Sequence, residues 1–124
     1  NLYEGGIRVP TIIRWPGHIA SGSRNATPLI STDLYPTLLA LTGSRARKNQ
    51  HIDGISFSSI LLGQRDSVDR DALYWHYPHN RHEAAVREGR YKLLHRFKDD
   101  RVELYDLKAD IGEQTDLSQQ QPKL

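Results

Sequence analysis

Three of the six histidines fall within seven positions: His76, His79 and His82 flank Tyr77-Pro78 and are followed at once by Glu83. Imidazoles grouped this closely can ligate a divalent metal or carry a proton near neutrality. A metal centre, however, needs three or four converging ligands, and this stretch offers no cysteine and Glu83 as its one nearby carboxylate. A loop whose donors touch a bound ligand is the better reading, and His76 and His79 are its candidates. Near the N-terminus, Glu4-Gly5-Gly6 places adjacent glycines where backbone N–H groups can approach an oxyanion, although two glycines alone do not specify such a site. Arg8 and Arg14 have the same parity, so on an extended strand they share a face. Asp33, beside Thr32 and ahead of a leucine-periodic stretch, reads as a helix N-cap or first-turn acid rather than a catalytic acid. No Gly-rich phosphate loop, no Gly-x-Ser-x-Gly elbow and no usefully spaced carboxylate pair is present.

The elements that must position these groups follow from local pattern. Residues 7–15 are rich in β-branched side chains, follow Gly5-Gly6 and stop at Pro16-Gly17, which predicts a largely buried strand. Leu34, Leu38 and Leu41, with Tyr35 and Leu39, recur at helical spacing up to Gly43, and Pro36 falls in the first turn where its missing N–H does no harm. Residues 44–50 read as an exposed basic loop, and Phe57, Ile60 and Leu61 predict a short helix ending at Gly63. From Asp71 the pattern turns to strands at 72–77, 83–87, 91–97 and 102–107, with turns at Glu88-Gly89 and Asp99-Asp100, an antiparallel meander. Asp116-Leu117-Ser118 offers a cap for a helix in the polar tail.

Composition bounds the rest. A chain of 124 residues with 37% hydrophobic and 26% charged residues can bury one modest core. A net charge of +2, from 17 basic and 15 acidic side chains, leaves no electrostatic footprint for nucleic acid. No apolar run reaches the roughly 20 residues that span a bilayer, so no membrane partner is expected. Without cysteine there is no disulfide framework and no thiolate metal site. The sequence has no methionine, even at its start, and is expected to be a piece of a longer protein.

The order of short segments says more than any one of them. Glu4-Gly5-Gly6-Ile7-Arg8-Val9-Pro10, Trp15-Pro16-Gly17, Ser31-Thr32-Asp33-Leu34-Tyr35-Pro36-Thr37-Leu38-Leu39 and Asp53-Gly54 resemble the later part of type I sulfatases, the arylsulfatase-like sulfuric ester hydrolases. The resemblance continues through Tyr74-Trp75-His76-Tyr77-Pro78-His79, residues 85–93, and Glu103-Leu104-Tyr105-Asp106-Leu107 with Asp110 and Glu113. It implies an α/β fold class: the end of an alkaline-phosphatase-like α/β domain over residues 1–67, then a small four-stranded antiparallel sheet with a packed helix over 68–124. It further implies a parent enzyme that uses calcium and a formylglycine, with the nucleophile, the metal ligands and a sulfate-contacting lysine all upstream. This stretch therefore holds no cofactor or catalytic residue of its own and is expected to be inactive alone, its partners being the remainder of the catalytic domain and a sulfated carbohydrate or aryl sulfate. Glu4, Gly5, Gly6 and Arg8 match the segment that shapes the active-site floor, and His76 and His79 match a region able to lean over the pocket. Two other readings stay open: a phosphonate or phosphodiester hydrolase or phosphoethanolamine transferase of the same superfamily, and a stand-alone glycan-binding module. Compartment is not legible, although the resemblance suits a periplasmic, secreted or lysosomal setting.

Overall fold

The computed structural model describes residues 1–47, 49–50 and 53–123 and divides into two compact units, Asn1–Thr11 with Asp71–Leu124, and Ile12–Arg70. The boundary expected at 67/68 thus falls close to residue 70, but the first eleven residues group with the sheet rather than with the segment that follows them.

The first unit is built on a four-stranded antiparallel meander, β1 (Ala72–Tyr77), β2 (Glu83–Glu88), β3 (Tyr91–Arg96) and β4 (Arg101–Asp106), in the spatial order β1-β2-β3-β4. Each strand pairs with its sequence neighbour, so the ladder is closed by short turns. The β2–β3 turn is made by Gly89 and Arg90, with Glu88 opposite Tyr91 and Gly89 at φ +54°, a conformation that glycine adopts without a Cβ penalty. Period-2 alternation puts Leu73, Ala85, Leu94 and Tyr105 on one buried face, where Ala85 and Leu94 pack with Leu2, and Tyr3, Ile7 and Trp75 close over them. The same face also carries Glu83, Lys92 and Glu103, each almost fully buried. The tail runs in turns and forms no helix among the described residues. Asp116 instead accepts the amides of Leu104 and Ser118, and Leu117 N–H donates to the Leu104 carbonyl, so the segment extends the edge of β4.

The strand expected at 7–15 is not formed. Glu4–Ile7 is one helical turn, α1, and the chain beyond it is extended without a ladder partner, with Val9 76% and Ile12 90% exposed. β-Branched side chains favour extended backbone, but a strand needs a neighbour, and Pro10 and Pro16 each withhold a donor. Arg8 consequently shares no strand face with Arg14; it lies one helical turn from Glu4 and pairs with it at 3.5 Å. Pro16-Gly17 does end the segment, His18 and Ile19 donating to the Trp15 carbonyl while the His18 ring stacks on Trp15.

In the second unit a 3-10 turn (Ser31–Asp33) leads into α2 (Leu34–Leu41), and α3 (Ser58–Leu61) follows, both helices as expected from the leucine spacing and from Gly63. Asp33 does not cap α2 through its side chain. It is fully buried and accepts the amides of Ile30 and Ile55 at 2.9 Å, while the two guanidinium nitrogens of Arg70 lie at 2.9 and 2.5 Å. Burial pushes this carboxyl upward, but the Arg70 guanidinium and the two amides outweigh burial and hold it below the usual carboxylate range. Thr37 adds a second tie, donating to the Asp33 carbonyl and accepting the Phe57 amide. Of the loop read at 44–50, Lys48 lies outside the described residues; the others are exposed.

Candidate functional site

Every sequence-predicted site residue falls in the sheet-bearing unit. Glu4 is 6% exposed, and its carboxylate faces three cations: Lys92 Nζ at 3.0 Å, Arg8 at 3.5 Å and Arg87 at 3.9 Å. Lys92 is itself fully buried and lies 2.8 Å from Glu113 Oε1, while Glu113 Oε2 accepts the Glu4 amide at 2.5 Å. Removing an ammonium from water costs several kcal/mol, so a buried lysine requires carboxylates at this distance. Arg87 and Lys92 stand directly opposite one another on β2 and β3, which is how two cations come to flank one glutamate.

The residues before Glu4 are held in the same manner. Leu2 N–H donates to Glu83 Oε2 at 3.3 Å, and the Tyr3 hydroxyl donates to Glu103 Oε2 at 2.5 Å. The Tyr105 hydroxyl reaches the same oxygen at 2.9 Å, and the two tyrosine rings meet edge to face. Burial, and then the bond to Glu103, push the Tyr3 hydroxyl up to about 12, so it remains a proton donor at any physiological pH. Leu2, Tyr3 and Glu4 are thus tied in turn to Glu83, Glu103 and Glu113. This docking delivers Gly5 and Gly6 to the surface. At Gly6 an added Cβ would collide with the backbone of Asn1, which explains that glycine; at Gly5 a Cβ would meet open space.

His76 lies inside β1 rather than on a loop, exposed on the face opposite Trp75, with its ring edge-on to Phe97 at 6.1 Å. His79 sits in the exposed β1–β2 turn, where Arg81 N–H donates to its carbonyl. Beside it Asn80, His82, Phe97 and Lys98 line a shallow depression of about 400 Å³. Arg81 faces Glu83 Oε1 at 4.0 Å while Leu2 holds Oε2, so one carboxylate links the histidine turn to the docked N-terminal segment. Lys92, Glu113, Glu83 and Glu103 were not singled out from the sequence; the available signal was a charge at an inward position of an alternating strand, Lys92 two residues from Leu94.

The donor set can be tested against the cofactors that the resemblance implies. Among the described residues no three His, Asp or Glu side chains converge as a metal cluster, and the chain has no cysteine. Its own residues do not fit a calcium or formylglycine site, and no chemical step is drawn through either.

Residues 1–123 match the family described as N-sulphoglucosamine sulphohydrolase, C-terminal. A sulfatase of Formosa agariphila is 38% identical over 97% of this chain and 24% of its own length. Human arylsulfatase A is 44% identical over 73% of the chain and 18% of its own. Among solved structures, that of Ps i-CgsB superposes with a TM-score of 0.71 at 29% identity, covering 88% of this chain and 24% of that one; a second structure of it is a complex with a k-i-k-neocarrahexaose. The chain spans about a quarter or less of the length of these relatives.

Proposed function

We propose, from the premise that this chain belongs to the family of N-sulphoglucosamine sulphohydrolase C-terminal regions, that the intact protein hydrolyses sulfate esters of carbohydrates and that this stretch supplies scaffold and pocket rim. Sulfated carbohydrate is favoured over a steroid or simple aryl sulfate because the matching family is described by an amino-sugar substrate and a structural neighbour binds a carrageenan-type oligosaccharide. The relatives' names speak for a sulfatase over the phosphoryl- and phosphonate-directed members of the superfamily.

The observation that carries this reading is the docking of residues 2–4 by three buried or part-buried carboxylates, which presents Glu4-Gly5-Gly6, with Arg8 beside it, as a preformed surface. In the proposal these four residues shape the active-site floor and perform no bond making. His76 and His79 are rim donors to the glycan. Calcium and the formylglycine belong to the rest of the protein, so this stretch alone leaves a sulfate ester intact.

The test is an assay of the intact protein on a chromogenic aryl sulfate and on a sulfated oligosaccharide, beside the isolated chain. Turnover is expected from the intact protein only, with the oligosaccharide the better substrate by kcat/KM. Cleavage of a phosphodiester but not of a sulfate ester, or turnover by the isolated chain that survives repurification, refutes the reading. Within the active protein, His79→Ala is expected to raise KM for the oligosaccharide about ten- to a hundredfold, the worth of one hydrogen bond to a charged ligand. An unchanged KM with a lowered melting temperature makes His79 structural.

A further inference from the structure

We infer that Lys92 and Glu113 are positioning residues for sulfate-ester hydrolysis, acting by clamping Glu4 and so setting the place of the exposed Gly5-Gly6 backbone; the inference rests on the sulfatase reading above. Lys92 occupies an inward position of β3, two residues from the fully buried Leu94 and opposite Tyr105 of β4. Apolar side chains in place of the whole cluster could fill this space, because buried ion pairs are often replaceable as a set by hydrophobic residues without penalty, whereas removing one partner leaves buried charge uncompensated. What an apolar residue cannot supply is direction. The ammonium lies between Glu4 Oε1 at 3.0 Å and Glu113 Oε1 at 2.8 Å, and the second Glu113 oxygen takes the Glu4 amide at 2.5 Å. Glu4 is therefore gripped at its carboxylate and at its backbone by one connected pair.

The next two residues have no side chains with which to hold themselves; they lie in α1 between Glu4 and Ile7, with Gly6 N–H donating to the Tyr3 carbonyl, so their location follows from how Tyr3, Glu4 and Ile7 are held. Glu113 reaches the clamp from a backbone at φ +54°, a region that non-glycine residues rarely adopt and that persists where surrounding contacts over-determine it. The Asp110 carboxylate, accepting the amides of Gln114 and Thr115, builds the turn that holds this conformation. Sheet, tail and N-terminal segment thus converge on one backbone amide, a stricter arrangement than hydrophobic docking of Leu2 and Ile7 alone requires.

The experiment uses the intact enzyme, with Lys92→Met and Glu113→Gln as variants and Arg90→Ala, which loses an ion pair with Asp106 and a ring contact with Tyr91 away from the clamp, as the control. Kinetics are measured per folded molecule, well below each melting temperature. A positioning role predicts a fall in kcat of about a hundredfold with KM nearly unchanged, the scale of loss when a supporting group shifts by about an ångström. Arg90→Ala keeps the wild-type kcat. Folded variants with wild-type kcat overturn the inference, as does failure of both variants to fold, which would assign the cluster to folding alone. An intact wild type inactive on every sulfate ester removes the sulfatase reading, and this inference with it; an active wild type with unimpaired variants removes the inference only.

Discussion

The sheet-bearing unit and the Ile12–Arg70 unit solve the same problem, keeping polar groups satisfied inside a small body, by different means. In the first, four six-residue strands in unbroken register fix the parity of every side chain, so even a lysine and two glutamates can be buried at defined places and paired there. In the second, regular structure among the described residues is limited to a 3-10 turn and helices of eight and four residues, and one carboxylate, Asp33, gathers two backbone segments and a guanidinium. Within this stretch alone, Leu38 is 59% and Leu34 45% exposed. Ladders distribute the burden of polar satisfaction; where they are scarce it concentrates on one residue.

That contrast can be broken or sharpened by mutation in the intact protein, read by hydrogen exchange within each unit. The largest effect is expected for Asp33→Ala, which leaves Arg70 uncompensated and costs about 4 kcal/mol, confined to the second unit. Leu94→Ala, at a fully buried position of β3, should cost the sheet about 3 kcal/mol. Gly89→Ala forces an L-residue into the left-handed region of the β2–β3 turn and should cost about 1 kcal/mol. Faster exchange in the sheet-bearing unit on Asp33→Ala, or in the second unit on Leu94→Ala, would break the contrast.

Alkali should separate the units, whereas acid should loosen both: burial pushes the Asp116 carboxyl up, but the amides of Ser118 and Leu104 outweigh it and hold this sheet-unit carboxyl below the usual range as well. Asp33 titrates below its ordinary 3.8, so its stabilising contribution is complete above that value and lost as pH falls through the lower folded value, loosening the second unit. Tyr3 is shifted the other way, from 10.0 to about 12, so the docking of the N-terminal segment is intact below pH 10.0 and weakens as pH rises toward 12. Alkaline exchange that accelerates in the second unit together with the N-terminal segment, or acid exchange that accelerates in one unit alone, would contradict this.

Much of the sheet was legible in the sequence because alternation and turn chemistry are local: the strands read at 72–77, 83–87, 91–97 and 102–107 differ from β1 to β4 by no more than a residue at any end. The two helices were legible for the same reason. What failed depended on distant partners. Residues 7–15 have strand composition but no neighbour to pair with, and Asp33 looked like a cap because Ile55 and Arg70, 22 and 37 positions away, were not visible from its surroundings. Glu4-Gly5-Gly6 and Arg8 were picked out by resemblance, but the clamp on Glu4 was not, since Lys92 and Glu113 are 88 and 109 positions distant.

Those separations also have a consequence during synthesis. Glu4 is made before the sheet, yet the carboxylate that accepts its amide is made 109 residues later. At roughly 5 to 20 residues per second, Glu4 waits about 5 to 20 seconds for its partner, while each hairpin of the meander can close in microseconds once its second strand emerges. The Gly5-Gly6 surface is therefore completed only after the meander, and a released chain lacking residue 113 onward would carry the four strands without the carboxylate that completes the docking site.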